Sequence, residues 1–201
     1  MRAADHAYPS WFAPAVVTTL ALGVVAMALI LWPLMGLAAK LDTREGRPWP
    51  AHRPIRIHDA SAWPRTVRAA VKEWNDTRIA PRMAMTPDRR SADVLVVSGL
   101  AGPGAAGRVD FIGYKKGRQS TLTIPRSGRS AGVADRDLPV LVERVVVHEL
   151  GHVLGLRHQL NGCAVMNPEG ASGECSVKVI AERRAPLATD RRALRRLYDR
   201  R

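Results

Sequence analysis

His148-Glu149-Leu150-Gly151-His152-Val153-Leu154-Gly155-Leu156-Arg157-His158 is the stretch on which the reading of this 201-residue chain turns. It holds three of the six histidines. The residues leading into it (Leu138-Pro139-Val140-Leu141-Val142-Glu143-Arg144-Val145-Val146-Val147) are apolar on nearly every side, which predicts a helix from about Leu138 to Leu154 buried at the centre of a domain. On such a helix His148 and His152 stand one turn apart on one face. That spacing suits two ligands of a single tetrahedral zinc ion. Glu149 is turned by about 100° from His148, close enough to reach a water at the metal without ligating it. Gly155 can take a positive φ, end the helix and reverse the chain, which brings His158 back as a third ligand. Three protein ligands leave one position open, the arrangement of a catalytic rather than a structural zinc site. An isolated H-E-x-x-H arises by chance; the added glycine and histidine at fixed offsets make coincidence remote.

Outward from this helix, the rest of the chain from about Pro54 reads as one mixed α/β domain. Ile55-Arg56-Ile57 alternates as a strand does. Ser61 is placed to cap a helix with Pro64 in its first turn, and Val67, Ala70, Val71 and Trp74 fall on one face of it. Asp93 to Val97 suits a buried strand, Gly99 to Gly107 a glycine-rich loop. Val109 to Tyr114 and Thr121 to Ile124 read as two further strands joined by a basic turn through Lys115, Lys116 and Gly117. Arg126 to Arg136 reads as a loop. A last helix begins near Thr189, with Leu194, Leu197 and Tyr198 as its apolar stripe.

The eleven residues 148–158 match the H-E-x-x-H-x-x-G-x-x-H signature of the metzincin zinc endopeptidases. Cys163-Ala164-Val165-Met166-Asn167-Pro168 resembles the methionine turn of that family. The short V-M-x-P turn and the closing residues Pro186 to Tyr198 are most similar to the matrixin branch, as found in small bacterial enzymes, and so are the opening strand and helix with Trp74-Asn75. The resemblance implies that His148, His152 and His158 bind one catalytic zinc and that Glu149 is the general base and then the proton donor. It implies Met166 as a structural floor under the metal, and peptide or protein as substrate. The implied fold is a twisted, mostly parallel sheet with one antiparallel edge strand above the cleft, a central zinc-binding helix and a C-terminal helix. Thr121 to Ile124 is the candidate for that edge, able to hold an extended peptide by strand addition. Calcium stays open, because no calcium site can be placed. No cysteine precedes His148, so latency through a propeptide cysteine is not expected. The alternative reading is a catalytically idle metzincin-like module that only binds peptides; retention of Glu149 speaks against it.

Residues 1–39 read as an N-terminal membrane anchor. No charged residue lies between Ala7 and Ala39, and Ala15 to Trp32 is interrupted only by Thr18 and Thr19. One transmembrane helix over about residues 13–34 is therefore expected in front of the domain, with Trp11 and Trp32 at the interfaces. The rival is a cleaved signal sequence, for which Gly36-Leu37-Ala38 is a weak site, and which would leave a secreted enzyme. Residues 40–53, charged and proline-rich, read as a linker, leaving 54–201 for the protease domain.

The 31 basic residues against 18 acidic ones give a net charge of +13. Only five are lysines (Lys40, Lys72, Lys115, Lys116 and Lys178), and the arginines are spread along the chain, as a GC-rich coding sequence would produce. No nucleic-acid partner is expected, and the chain is expected to act as a monomer. Basic residues directly after the apolar segment would favour a cytoplasmic domain by the positive-inside rule, but long domains translocate despite such charge. Cys163 and Cys175 would close a short loop beside the active site, stabilising it by about 3 kcal/mol if bonded. Such a bond persists only in an oxidising compartment, so an extracytoplasmic domain is expected.

Overall fold

The computed structural model describes residues 47–79, 81–102, 105–159, 163–168 and 185–199. The chain divides into two compact units, Met1–Arg44 and Glu45–Arg201, and every described residue belongs to the second. The expected transmembrane segment, about 13–34, lies outside the described residues. Among the described residues no helix is long and apolar enough to cross a membrane.

Five strands form one sheet in the order β2-β1-β3-β5-β4. They are β1 (Ile55–Ala60), β2 (Met83–Met85), β3 (Val94–Ser98), β4 (Arg108–Val109) and β5 (Ser120–Ile124). All neighbours run parallel except β4, which is antiparallel to β5. The central strand β3 buries Val94, Leu95 and Val96 in succession, as a strand covered on both faces does. In β5 the alternation is clean: Ser120, Leu122 and Ile124 are buried, with Thr121 and Thr123 between them on the wetter face.

The antiparallel edge is therefore β4, and not Thr121 to Ile124 as the sequence suggested. β5 sits one place further in, parallel to β3 over its whole length. Of the residues expected as a strand from Val109 to Tyr114, only Val109 lies within β4; Asp110 N–H still donates to Thr121 O, and Tyr114 forms an isolated bridge with Arg47. A two-residue strand carries no periodicity to read, which is why the sequence pointed one strand too far inward.

The first helix, α1 (Pro64–Asn75), buries the expected Val67, Ala70, Val71 and Trp74. Its start differs from expectation. The N-cap is Trp63 with no side-chain cap, and Ser61 Oγ instead accepts from Trp63 N–H two residues on, a local turn before the helix. At its other end Asn75 holds β2 by both side-chain atoms: Nδ2 donates to Met83 O and Oδ1 accepts from Met83 N–H, each at 2.9 Å. Within the expected loop 126–136 lies a short helix, α2 (Gly128–Ala131), whose N-terminus is closed by Ser127 and Ser130 as a reciprocal cap.

The long helix α3 (Leu138–Val153) packs against α1, and Trp74 Nε1 donates 2.8 Å to Val147 O on it. The C-terminal helix α4 (Ala188–Tyr198) buries Leu194 and Tyr198. The end of the expected linker belongs to the core. Trp49 is only 2% exposed, and its indole N–H donates to Val153 O at the end of α3. Tyr198 Oη accepts from Trp49 N–H and donates to Leu154 O, so the first described residues are fastened to the last helix.

Candidate metal centre

The end of α3 is shaped by its glycines. Gly155 has φ +98°, its N–H donates to His152 O, and Leu156 N–H donates back to Gly151 O, both at 2.9 Å. This pair of bonds is a Schellman closure. It satisfies the last carbonyls of the helix and turns the chain so that His158 faces the helix it has just left.

His148 and His152 each spend one ring nitrogen on a backbone carbonyl. His148 Nδ1 donates to Val165 O at 2.7 Å and His152 Nδ1 to Leu156 O at 2.8 Å. Since a carbonyl can only accept, both rings carry their proton on Nδ1 and present an Nε2 lone pair. Those lone pairs meet a third nitrogen: His158 Nε2 lies 3.1 Å from each. The three ligand atoms all fall within 4.8 Å of one another. Zinc–nitrogen bonds of about 2.0–2.1 Å at tetrahedral angles set donor atoms about 3.3 Å apart, so the donor set fits zinc in both kind and spacing. Carbonyl acceptors on the outer nitrogens also fix ring orientation, the usual support for a histidine ligand. The His148 imidazole is held well below its ordinary pKa, first by burial and then by the neighbouring His152, against the opposing pull of Val165 O. It is therefore neutral at neutral pH, as a ligand must be.

Glu149, 7% exposed, follows His148 on α3, and its side chain reaches the space beneath Gly107, the residue before β4. A Cβ placed on Gly107 would sit 3.0 Å from Glu149 Oε1 and 2.3 Å from Val145 Cγ1. The strand can pass this close to α3 only because residue 107 has no side chain.

Met166 is fully buried and fills a notch in α3. A Cβ on Gly151 would lie 2.2 Å from Met166 Sδ and 2.9 Å from Trp74 Cζ2. The turn holding it is closed by Asn167 N–H to Ala164 O, and Gln159 N–H donates to Met166 O, tying it to the segment just after His158. Asp190 fastens the turn from the other side. Its buried carboxylate accepts from Val165 N–H, Met166 N–H and Leu187 N–H at 3.1, 3.2 and 2.8 Å. Arg144, also buried, donates to Asn167 O. Cys163 is in a disulfide bond; Cys175, its expected partner, lies outside the described residues.

The structure thus gathers His148, His152 and His158 at one place, with Glu149 buried on the same helix as the first two and Met166 packed against that helix at Gly151. The sequence reading did not single out Gly107, Gly151 or Asp190. Gly151 had the one readable signal, a small residue inside an apolar helix between two ligands. Asp190 stood in the quoted closing segment, but only the fold shows what its carboxylate holds.

A mixed α/β domain with this three-histidine centre is a zinc metallopeptidase domain. The family profile of the matrixins matches residues 55–198, and the chain belongs to that family. No curated protein sequence matches it. Among solved structures it is similar to "Structure of myroilysin", at 14% identity and a TM-score of 0.47, covering 77% of this chain and 96% of that one. A second, "Crystal structure of myroilysin", is similar at 14% identity and a TM-score of 0.45, covering 75% and 85%.

Proposed function

We propose that this protein is a membrane-anchored zinc endopeptidase, with its catalytic domain on the extracytoplasmic side and a Cys163–Cys175 disulfide beside the site. The observation that carries the catalytic part is the convergence of three Nε2 atoms; a buried Glu149, directly after the first of these histidines in sequence and beneath the start of the edge strand, supports it. His148, His152 and His158 would hold the ion. When bound, zinc supplies a Lewis acid for the scissile carbonyl and a water of lowered pKa. Glu149 takes the proton from the attacking water and passes it to the leaving nitrogen. The free edge of β4 offers backbone donors and acceptors to an extended peptide, which aligns it over Glu149. Met166, pressed into the Gly151 notch, keeps the floor of the site apolar and rigid.

The test uses the full-length chain in detergent micelles, with zinc content and cleavage of end-blocked peptides measured together. One zinc per chain and internal cleavage are expected. Binding of peptides without any cleavage would instead identify an idle peptide-capture module. Protease shaving of intact cells, with thiol labelling before and after reduction, tests the placement. A protected domain with both thiols freely labelled would put it on the cytoplasmic face.

A further inference from the structure

Strand β4 carries one cation at the place where a substrate would lie. Arg108 pairs with Thr123 and Val109 with Leu122. Residues opposed in an antiparallel pair share a face of the sheet. Leu122 is fully buried, so Val109 faces α3 and Arg108 stands on the opposite, wetter face, where its own side chain is exposed. Arg108 is exposed and makes no ion pair among the described residues. The nearest acid in sequence, Asp110, is turned back onto β5, where its Oδ2 accepts from Thr121 N–H. The turn that follows adds Lys115, Lys116 and Arg118, all exposed, and no acid. Over residues 108–118 these four cations stand against the single acid Asp110, in a chain of net charge +13.

An extended peptide added outside β4 places one residue directly opposite Arg108, on the same face, with Cβ atoms about 5 Å apart. A Cβ on Gly107, one residue earlier, would come within 3.0 Å of Glu149 Oε1, so that position lies within about two residues of the bond on which Glu149 would act, at about 3.3 Å per residue.

We infer that Arg108 is a specificity-determining residue and that the enzyme prefers peptides with Asp or Glu at the position facing it, close to the scissile bond. The inference rests on the peptidase reading above and names its substrate class. Opposite-charge cross-strand pairs contribute enough to change affinity by up to about fivefold, and like charges oppose by a similar factor.

The test uses the full-length zinc-loaded protein in zwitterionic detergent. End-blocked peptides carry Ala, Glu or Lys at each position on both sides of one cleavage site. At one position near the cut, Glu should raise kcat/KM over Ala by up to about fivefold and Lys should lower it, with the spread shrinking at high salt. Arg108→Ala should level the ranking at that position, and Arg108→Glu should invert it. The same peptides are also ranked for binding to zinc-loaded Glu149→Ala by tryptophan fluorescence. Cleavage without an acidic preference, or a preference that survives both Arg108 variants, overturns this inference and leaves the peptidase reading standing. Arg108-dependent ranking in binding without cleavage does the reverse. Neither cleavage nor ranked binding overturns both.

Discussion

Glu149 and Gly151 lie two residues apart on α3, and their replacement separates chemistry from packing. Glu149→Ala removes the proton carrier and no ligand. Turnover is expected to fall by about a hundred- to ten-thousand-fold while zinc content by metal analysis stays at the wild-type value. Wild-type turnover in that variant would sink the proposed mechanism. Gly151→Ala should do the opposite. Its methyl would overlap Met166 Sδ, 2.2 Å away, and crowd Trp74. Destabilisation of about 1–3 kcal/mol is expected from such overpacking, visible as a lower midpoint in denaturant titration. His148 adds a pH dependence. Its folded-state pKa is depressed, chiefly by burial, so below the unfolded value of about 6.5 the unfolded chain binds more protons than the folded one. The metal-free domain should therefore be fully stable above that pH and lose stability as pH falls below it. A midpoint in thermal unfolding that does not fall between pH 8 and pH 5 would contradict this.

At the scale of elements, the site is held by the joints around α3 as much as by α3 itself. The Schellman closure at Gly155 sets where His158 returns. Gly155→Ala forces a side chain into φ +98° and brings its Cβ within 3.0 Å of Leu197 Cδ2 on α4. A cost of about 1–2 kcal/mol is expected from the backbone alone, together with weaker zinc retention in a chelator competition. The other joint is Asp190. Asp190→Ala would leave Val165, Met166 and Leu187 N–H without their acceptor. The loss should be on the order of 3 kcal/mol, and zinc affinity should fall with it because Val165 O orients His148. The sequence showed α3, its ligands and the Gly155 reversal because all of these lie within one local, periodic pattern. It showed the stripe of α1 for the same reason. It did not show that β4 rather than β5 forms the edge, or that Met83–Met85 is a strand. Strand order is a property of distant segments, and the three residues of β2, paired with β1 and fastened by the side chain of Asn75, carry no pattern of their own.

At the scale of the whole molecule, the end of the expected linker contributes to the core. Proline and charge made residues 40–53 look like tether, yet Trp49 is buried against Val153 and Tyr198. A single tryptophan in a polar stretch carries no period, so only its contacts reveal it as core. A fragment beginning at residue 54 should accordingly be less stable than one beginning at residue 45, by about 3–5 kcal/mol if the loss matches removal of a buried tryptophan. Equal thermal midpoints for the two would argue that the Trp49 contacts contribute nothing.

Asp190 also makes the last helix part of the metal centre. Its carboxylate, in the first turn of α4, fastens the Val165–Met166 turn, and through Val165 O the ring of His148. The eleven-residue motif therefore owns all three zinc ligands but not the clamp that seats the first of them. Undocking of α4 would loosen that ring without touching any ligand, so a binder gripping this helix is expected to lower zinc retention from a distance.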